Sequence, residues 1–367
     1  MSNEPNEAFL TLHEFVKAAK MRLSPNIWDY LVGGTETETT LKRNRLALDS
    51  LALKPRVLRD VSKIEPSGKL LGRAMRIPVM LAPVGALESF DPGGGATAAK
   101  AATAFGAPIM VSSVTQPGLE AIATASGSGF KIFQLYVRGD DAWTDDIVKR
   151  ARDSGYDAFC FTVDTAVYSR RERDIAKRFV KPWRQRATGH SFQAGLNWGH
   201  VKRFRDKHDL PLILKGIGTA EDAALACEHG VAAVYVSNHG GRQLDHGRGS
   251  LDVLPEVVDA VRGRAAIIVD GSISRGTDVV KALALGAQAV AVGRLYCYAL
   301  AAAGEEGVVR LLELLEEEVR TALGLMGITR LDDLNPGCVA PARPVVPPHV
   351  HSAFPLLNLD DEGYGGR

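Results

Sequence analysis

Eight short apolar runs, spaced along most of the chain, set the strongest limit on its fold. They read VMLAP (79–83), PIMVSS (108–113), KIFQLYV (131–137), AFCFTVD (158–164), LPLILKGI (210–217), AVYVSN (233–238), AIIVDGS (266–272) and AVAVGR (289–294). Runs this continuous suit strands buried on both faces, as in a parallel sheet. Between them lie helical patterns such as TAEDAALACEHG and RGTDVVKALALG. Each has Thr and Asp near its start, carries an apolar stripe and stops at Gly. Asp222 to Gly230 and Asp278 to Gly286 share one spacing, which marks a repeated βα unit. Eight such units predict an α/β fold of the (β/α)8 TIM barrel class. An open doubly wound sheet is the competing arrangement.

The spacing places the barrel in residues 76–335 of a single domain covering 1–367. Residues 1–75 form an N-terminal segment with an amphipathic helix near LHEFVKAAKMRL. Residues 336–367 form a Pro-rich tail that packs on the barrel or on a neighbouring subunit. No strand is predicted between Asp164 and Leu210, a stretch rich in Arg, Lys, Trp and Gly. A loop of that length after the fourth strand is an active-site lid or a loose surface segment. The net charge of +1 offers no global field for nucleic acid. Cys160, Cys227, Cys297 and Cys338 lie far apart and form no C-x-x-C, so neither a zinc site nor a disulfide framework is indicated. A reducing compartment fits. The opening MSNEPNEAFL has no signal-peptide core, and no window is long and apolar enough to span a membrane. These features predict a cytoplasmic enzyme with no membrane partner.

In such a barrel, chemistry gathers at the C-terminal ends of the strands. Those ends carry Pro83, Val84 and Gly85, then Ser112, then Gln134 and Tyr136, then Thr162 and Asp164. The later strands end on Lys215, on Ser237, His239 and Arg242, on Asp270 and Gly271, and on Gly293 and Arg294. Arg171 follows in the lid. Each has a bland reading. A lone His239 is a cap or a packing residue, Lys215 a solvated lysine, Asp164 a helix cap, and Arg171 part of a wetted charge run. Together they supply a base, a carboxylate to orient it, a cation and two arginines on different strands. Two arginines can grip a carboxylate with forked hydrogen bonds. A His–Asp pair can accept a proton and hold the resulting charge. A lysine beside a heterocycle can stabilise negative charge that develops on reduction. Gly293 and Arg294 stand where barrels commonly bind phosphate. The set describes a phosphate-bearing redox cofactor over the barrel mouth, with a carboxylate substrate above it. GGGATA (93–98) fits a loose nicotinamide-binding pattern, but it follows DP rather than a strand end.

SNHGGRQLD (237–245) resembles the signature of the FMN-dependent 2-hydroxy acid oxidase and dehydrogenase family, which includes glycolate oxidase, lactate oxidase and mandelate dehydrogenase. The resemblance runs from about residue 10 to residue 335 through WDYLVGG, NRLAL, KPRVLRDVS, LAPVG, FQLYV, TVDT, RRERD, LKGI and VVKALALGAQAVAVGR, in that order. It implies FMN as cofactor and oxidation of an (S)-2-hydroxy acid to a 2-keto acid. Oxygen or another electron acceptor would reoxidise the flavin, in a homo-oligomer, a tetramer by resemblance. It further implies His239 as the active-site base with Asp164 beside it. Arg171 and Arg242, helped by Tyr30, would bind the substrate carboxylate, and Tyr136 would sit near the substrate oxygen. Lys215 would lie by the flavin and stabilise its reduced form. Pro83, Val84, Gly85, Ser112, Gln134, Thr162 and Ser237 would contact the flavin ring and ribityl chain. Asp270, Gly271, Gly293 and Arg294 would hold the ribityl and phosphate end.

Three features depart from the family pattern. In DGSISRGTD (270–278), Ser272 and Ser274 stand where a glycine and an arginine are usual, so one phosphate-binding arginine is missing. The serine hydroxyls and Arg294 are expected to compensate. The lid is shorter than in plant-type glycolate oxidase and lacks a long apolar insert. Gly85 and Val114 replace an alanine and a bulky aromatic, which predicts a substrate larger than glycolate. Two other readings stay open: a non-redox FMN barrel such as a type 2 isopentenyl diphosphate isomerase-like protein, and a non-catalytic flavin-binding barrel. The two arginines argue against the first, and the intact His, Lys and Arg set against the second.

Overall fold

Each of the eight apolar runs forms a strand, and the eight strands close into a parallel barrel. The computed structural model describes residues 9–180 and 188–357. The barrel strands are β4 (Val79–Leu81), β5 (Ile109–Ser112), β6 (Lys131–Leu135), β7 (Ala158–Thr162), β8 (Leu212–Ile217), β9 (Ala233–Val236), β10 (Ala266–Val269) and β11 (Ala289–Val292). β11 pairs with β4 and shuts the sheet, which excludes the open doubly wound arrangement. Seven of the eight strands stop before their apolar run does. The residues past the last ladder bond form the rim of the mouth, where most of the predicted site residues lie.

Three strands lie outside the barrel. β2 (Gly68–Leu70) and β3 (Arg73–Met75) form a hairpin. Its Leu70 and Met75 pack with Met80, Met110, Ile132, Ile213 and Ile268 inside the barrel. That plug closes one end and leaves the C-terminal end open. β1 (Leu51–Leu53) pairs antiparallel with β12 (Val339–Pro341), so the Pro-rich tail packs on its own chain.

Thirteen helices surround these strands among the described residues. The N-terminal segment supplies α1 (Leu12–Arg22), α2 (Pro25–Val32) and α3 (Thr39–Asp49). The barrel helices are α4 (Gly94–Phe105), α5 (Leu119–Ser126), α6 (Asp141–Asp153), α9 (Trp198–Lys207), α10 (Ala220–Glu228), α11 (Ser250–Val261), α12 (Gly276–Ala284) and α13 (Arg294–Leu325). α13 breaks at Ala303 and Gly304 and packs on α1 and α4. The repeated βα signal appears as drawn from the sequence. Thr219 caps α10 by accepting from the Asp222 amide, and Gly230 and Gly286 follow α10 and α12 at φ 68° and 104°.

The stretch between Asp164 and Leu210 is more ordered than a plain loop. It holds α7 (Glu172–Ala176), α8 (His190–Ala194) and α9. α9 buries only Val201 and Phe204 on an otherwise polar helix, so its periodic signal is weak. Residues 181–187, part of the predicted lid, lie outside the described residues. No helix among the described residues is long and apolar enough to cross a membrane.

Candidate active site

His239 begins three successive left-handed residues: His239 at φ 61°, Gly240 at 64° and Gly241 at 72°. A Cβ on Gly241 would lie 2.4 Å from the Leu41 amide nitrogen, so this loop needs glycine to turn against α3. The turn holds the imidazole over the barrel mouth. His239 Nδ1 lies 3.1 Å and 3.3 Å from the two carboxylate oxygens of Asp164. Its Nε2 lies 3.3 Å from the Tyr136 hydroxyl. Burial lowers the His239 pKa below the ordinary imidazole value; Asp164 opposes this, while Lys215 and Arg171 add to it. The ring is therefore neutral at neutral pH, with one nitrogen tied to a carboxylate and the other facing the cavity. Burial alone would raise the Asp164 carboxyl, but His239 and Lys215 hold it below the usual range.

Lys215 enters from β8 beside a register shift between Lys215 and Ile217. The shift centres on Gly216, at φ 114°, where a Cβ would meet Asp164 Cβ at 2.6 Å. Lys215 Nζ donates to Ser237 Oγ at 3.1 Å and lies 3.8 Å from Asp270 Oδ2. The Tyr235 hydroxyl donates to the same Asp270 oxygen at 3.0 Å. Gln134 donates to Thr162 Oγ1 at 2.8 Å. Ser112, Gln134, Thr162 and Ser237 are buried. They do not line the cavity but lie beneath it, whereas Pro83, Val84, Gly85, Lys215, Asp270 and Gly271 line it. The cavity has a volume of about 510 Å³.

Four arginines line this space, Arg138, Arg171, Arg242 and Arg294, and the last three interact with one another. Among the described residues none of these three is paired with a carboxylate. Arg242 donates to the carbonyls of Leu31 and Gly33 at 3.3 Å and 2.9 Å. Arg294 donates to the same two carbonyls, at 3.1 Å and 2.9 Å, and to that of Gly240 at 3.0 Å. The C-terminal end of α2 thus holds two cations side by side. Tyr30, from the same helix, packs its ring 5.0 Å from Arg242 and donates to the Gly85 carbonyl at 3.1 Å. Arg171 lies 5.4 Å from the Tyr168 ring, and its buried Nε has no partner among the described residues. Burial, then Arg171 and Arg294, pull the Arg242 pKa down to about 9. A cluster of this kind calls for an anion.

The structure revises two expectations. Gly85 does not open space by itself, because a Cβ there would lie 2.7 Å from Val114 Cγ2. Val114 already fills the room that Gly85 leaves. At the other end, Ser272 and Ser274 do line the cavity, but Ser274 Oγ donates to the Ser272 carbonyl at 3.1 Å. The nearby cations are committed elsewhere. Arg45 grips Asp278 with two bonds of 2.8 Å, and Arg275 pairs with Glu318. Arg294 and the uncapped start of α13 at Gly293 are what remain for a phosphate. The GGGATA stretch, in contrast, is explained by packing. A Cβ on Gly95 would lie 2.5 Å from Ile122, and one on Gly94 2.6 Å from the Gln116 carbonyl.

The sequence did not reveal part of the mouth. Gln193 of α8 accepts from the Val137 amide at 2.7 Å and donates to the Thr162 carbonyl at 2.8 Å. These two bonds pin α8 across the ends of β6 and β7. Arg138 bonds to His190 and lines the cavity, with Phe90, Ser191 and Ala194. None of these polar residues carries a periodic or motif signal.

A model of the FMN-dependent dehydrogenase family matches residues 19–341. This chain belongs to that family. It is 38% identical over 353 residues to an L-lactate oxidase from Nostoc sp., covering 89% of this chain and 96% of the relative. It is 40% identical over 343 residues to a 4-hydroxymandelate oxidase from Amycolatopsis orientalis, covering 87% and 95%. A crystal structure of mandelate oxidase with (S)-2-phenylpropionate superimposes with a TM-score of 0.85 at 40% identity, covering 92% of this chain and all of that one. The site suits the family's cofactor. Gln134 Oε1 and Asp270 Oδ1 are buried with no partner among the described residues, and Asp270, Lys215 and Arg294 line the cavity, so it offers both polar atoms and positive charge to such a group.

Proposed function

We propose that this family member oxidises an (S)-2-hydroxy acid to the 2-keto acid and passes the electrons to oxygen. The observation that carries the reading is His239. It is neutral, backed by Asp164, and turned toward a cavity that holds unpaired arginines. Arg171 and Arg242 take the substrate carboxylate, with Tyr30 buttressing Arg242. His239 Nε2 accepts a proton from the substrate as the α-carbon hydrogen leaves, and Asp164 stabilises the imidazolium. Tyr136 steadies the substrate oxygen at the same nitrogen. FMN, when bound, supplies the acceptor for that hydrogen and carries the electrons onward. Pro83, Val84, Gly85, Ser112, Gln134, Thr162 and Ser237 would hold its ring and ribityl chain. Asp270 and Gly271 would hold the ribityl end and Gly293 and Arg294 the phosphate, with Ser272 and Ser274 lining the same end of the cavity, and Lys215 balances the charge gained on reduction.

Oxygen is favoured as acceptor because the relatives carry the name oxidase. The reading includes one catalytic domain over 1–367, a cytoplasmic location and a homo-oligomer. The test is anaerobic mixing of the yellow protein with short, branched and aromatic (S)-2-hydroxy acids. Bleaching of the flavin absorbance, and its fast return in air, is the expected result. No bleaching by any of them would overturn the reading.

A further inference from the structure

β6 continues past its last ladder bond as a polar stair. Gln134 is buried below the cavity, while Tyr136 and Arg138 line it. Val137, between them, is buried and faces a separate cavity beside α6 and α9. Residues two apart on an extended segment share a face, so Arg138 sits one step above Tyr136, about 7 Å farther along the strand direction. Tyr136 already marks the level of the reacting atoms, at 3.3 Å from His239 Nε2. Arg138 therefore stands at the level that the far end of a substrate side chain would reach.

Its charge has no local answer. Arg138 bonds to His190 Nδ1 and pairs with no carboxylate among the described residues. A guanidinium has five N–H donors, so most of its capacity remains. Burial lowers the Arg138 pKa, and the titratable groups that act on it are the phenols of Tyr136 and Tyr168 rather than a carboxylate. The other cavity cations have roles nearer the reacting centre: Lys215 bonds to Ser237 beside Asp270, Arg294 is held by backbone carbonyls, and Arg171 and Arg242 are assigned above to the first carboxylate. Val114, Val167 and Ala194 give the same cavity apolar wall that suits a methylene spacer.

We propose that Arg138 recognises a second carboxylate, and that the substrate class is the (S)-2-hydroxy dicarboxylates. This rests on the hydroxy acid reading above and deepens it. One end of the substrate is held by Arg171 and Arg242, and the other by Arg138. His190 holds the guanidinium in place as a positioning residue.

The test compares a chain-matched pair, (S)-2-hydroxyglutarate and (S)-2-hydroxypentanoate, with (S)-mandelate alongside. The native enzyme is expected to favour the diacid in kcat/KM by about tenfold or more, the worth of a charge-assisted hydrogen bond. Arg138→Leu is expected to erase that ratio, and Arg138→Lys to keep part of it. A second readout is binding of 2-oxoglutarate against 2-oxopentanoate, seen as a perturbation of the oxidised flavin spectrum. The diacid should lose affinity in Arg138→Leu by about the same factor. The inference is overturned if the native enzyme shows no preference for the diacid, or if mandelate surpasses it. It is also overturned if Arg138→Leu weakens both acids equally, which would make Arg138 a strut for the lid. If no hydroxy acid at all bleaches the flavin, it is the proposed function that falls. If the monoacids do and the diacid is no better, only this inference falls.

Discussion

Replacing Asp164 by Asn tests whether the carboxylate works by charge or only by orientation. Asn has the same shape, so it still fits against Gly216, where even an added Cβ would come within 2.6 Å of Asp164. It can still accept from His239 Nδ1, now 3.1 Å away. What disappears is the negative charge beside an imidazole that must become positive. Charges about 4 Å apart interact by about 4 kcal/mol at an effective dielectric of about 20. Part of that is offset because burying the carboxylate itself has a cost, which leaves about 2–3 kcal/mol. The expected loss in kcat/KM is therefore about 30- to 150-fold. The pH profile gives an independent sign. Asp164 raises the His239 pKa against a burial effect that lowers it. Removing the charge leaves the depression unopposed, so the acid limb of kcat/KM moves to lower pH even as the plateau falls. The assay is stopped-flow flavin reduction across pH 4 to 8. A variant within about threefold of the native rate, or an acid limb that moves up, would refute the reasoning.

Three further outcomes are expected. Ser274→Arg adds a cation where Arg45 and Arg275 are already committed to Asp278 and Glu318; it should tighten FMN about tenfold or more and leave riboflavin unchanged, by fluorescence titration of the apoprotein. Equal shifts for both ligands would count against the phosphate assignment. Arg45→Met leaves Asp278 buried and half-answered, so urea denaturation should show a loss of about 3–5 kcal/mol, with Arg45→Met/Asp278→Asn recovering part of it. His13 packs edge-on against Phe354 with neither ring nitrogen partnered among the described residues, and its pKa is lowered to about 4, as is that of His351. The unfolded chain binds these protons near 6.5, so stability is full above that pH and drains as pH falls toward 4; His13→Leu should flatten the pH dependence of the urea midpoint, and an unchanged slope would contradict this.

The strands were legible because burial on both faces leaves no polar positions to break a run. The gathering of His239, Asp164, Lys215, Arg242 and Arg294 at the mouth was legible because all of them fall just where those runs end. Less could be read wherever a side chain serves by bonding to backbone. Gln193 looks like any polar helix residue, yet it ties α8 to β6 and β7. Arg294 reads as a phosphate ligand, but its guanidinium is also held by carbonyls of Leu31 and Gly33, far away in the chain. Nothing local encodes such a contact. The compensation between Gly85 and Val114 was hidden for the same reason, since each residue alone suggests space and only their proximity removes it.

The anchoring of α8 by one glutamine divides the mouth into two inheritable parts. The proposed proton-handling group and the proposed cofactor floor hang from the barrel strands. Part of the wall proposed to face a substrate's variable end arrives on a separate helix, fastened by Gln193 through bonds to main-chain atoms. A graft over residues 190–196 that keeps Gln193 leaves in place the left-handed Gly189 against the Arg138 carbonyl and the helix cap Asn197, and is expected to change substrate preference without moving His239. Directed evolution of this enzyme has a natural cassette there, and libraries confined to it should yield new preferences far more often than dead protein.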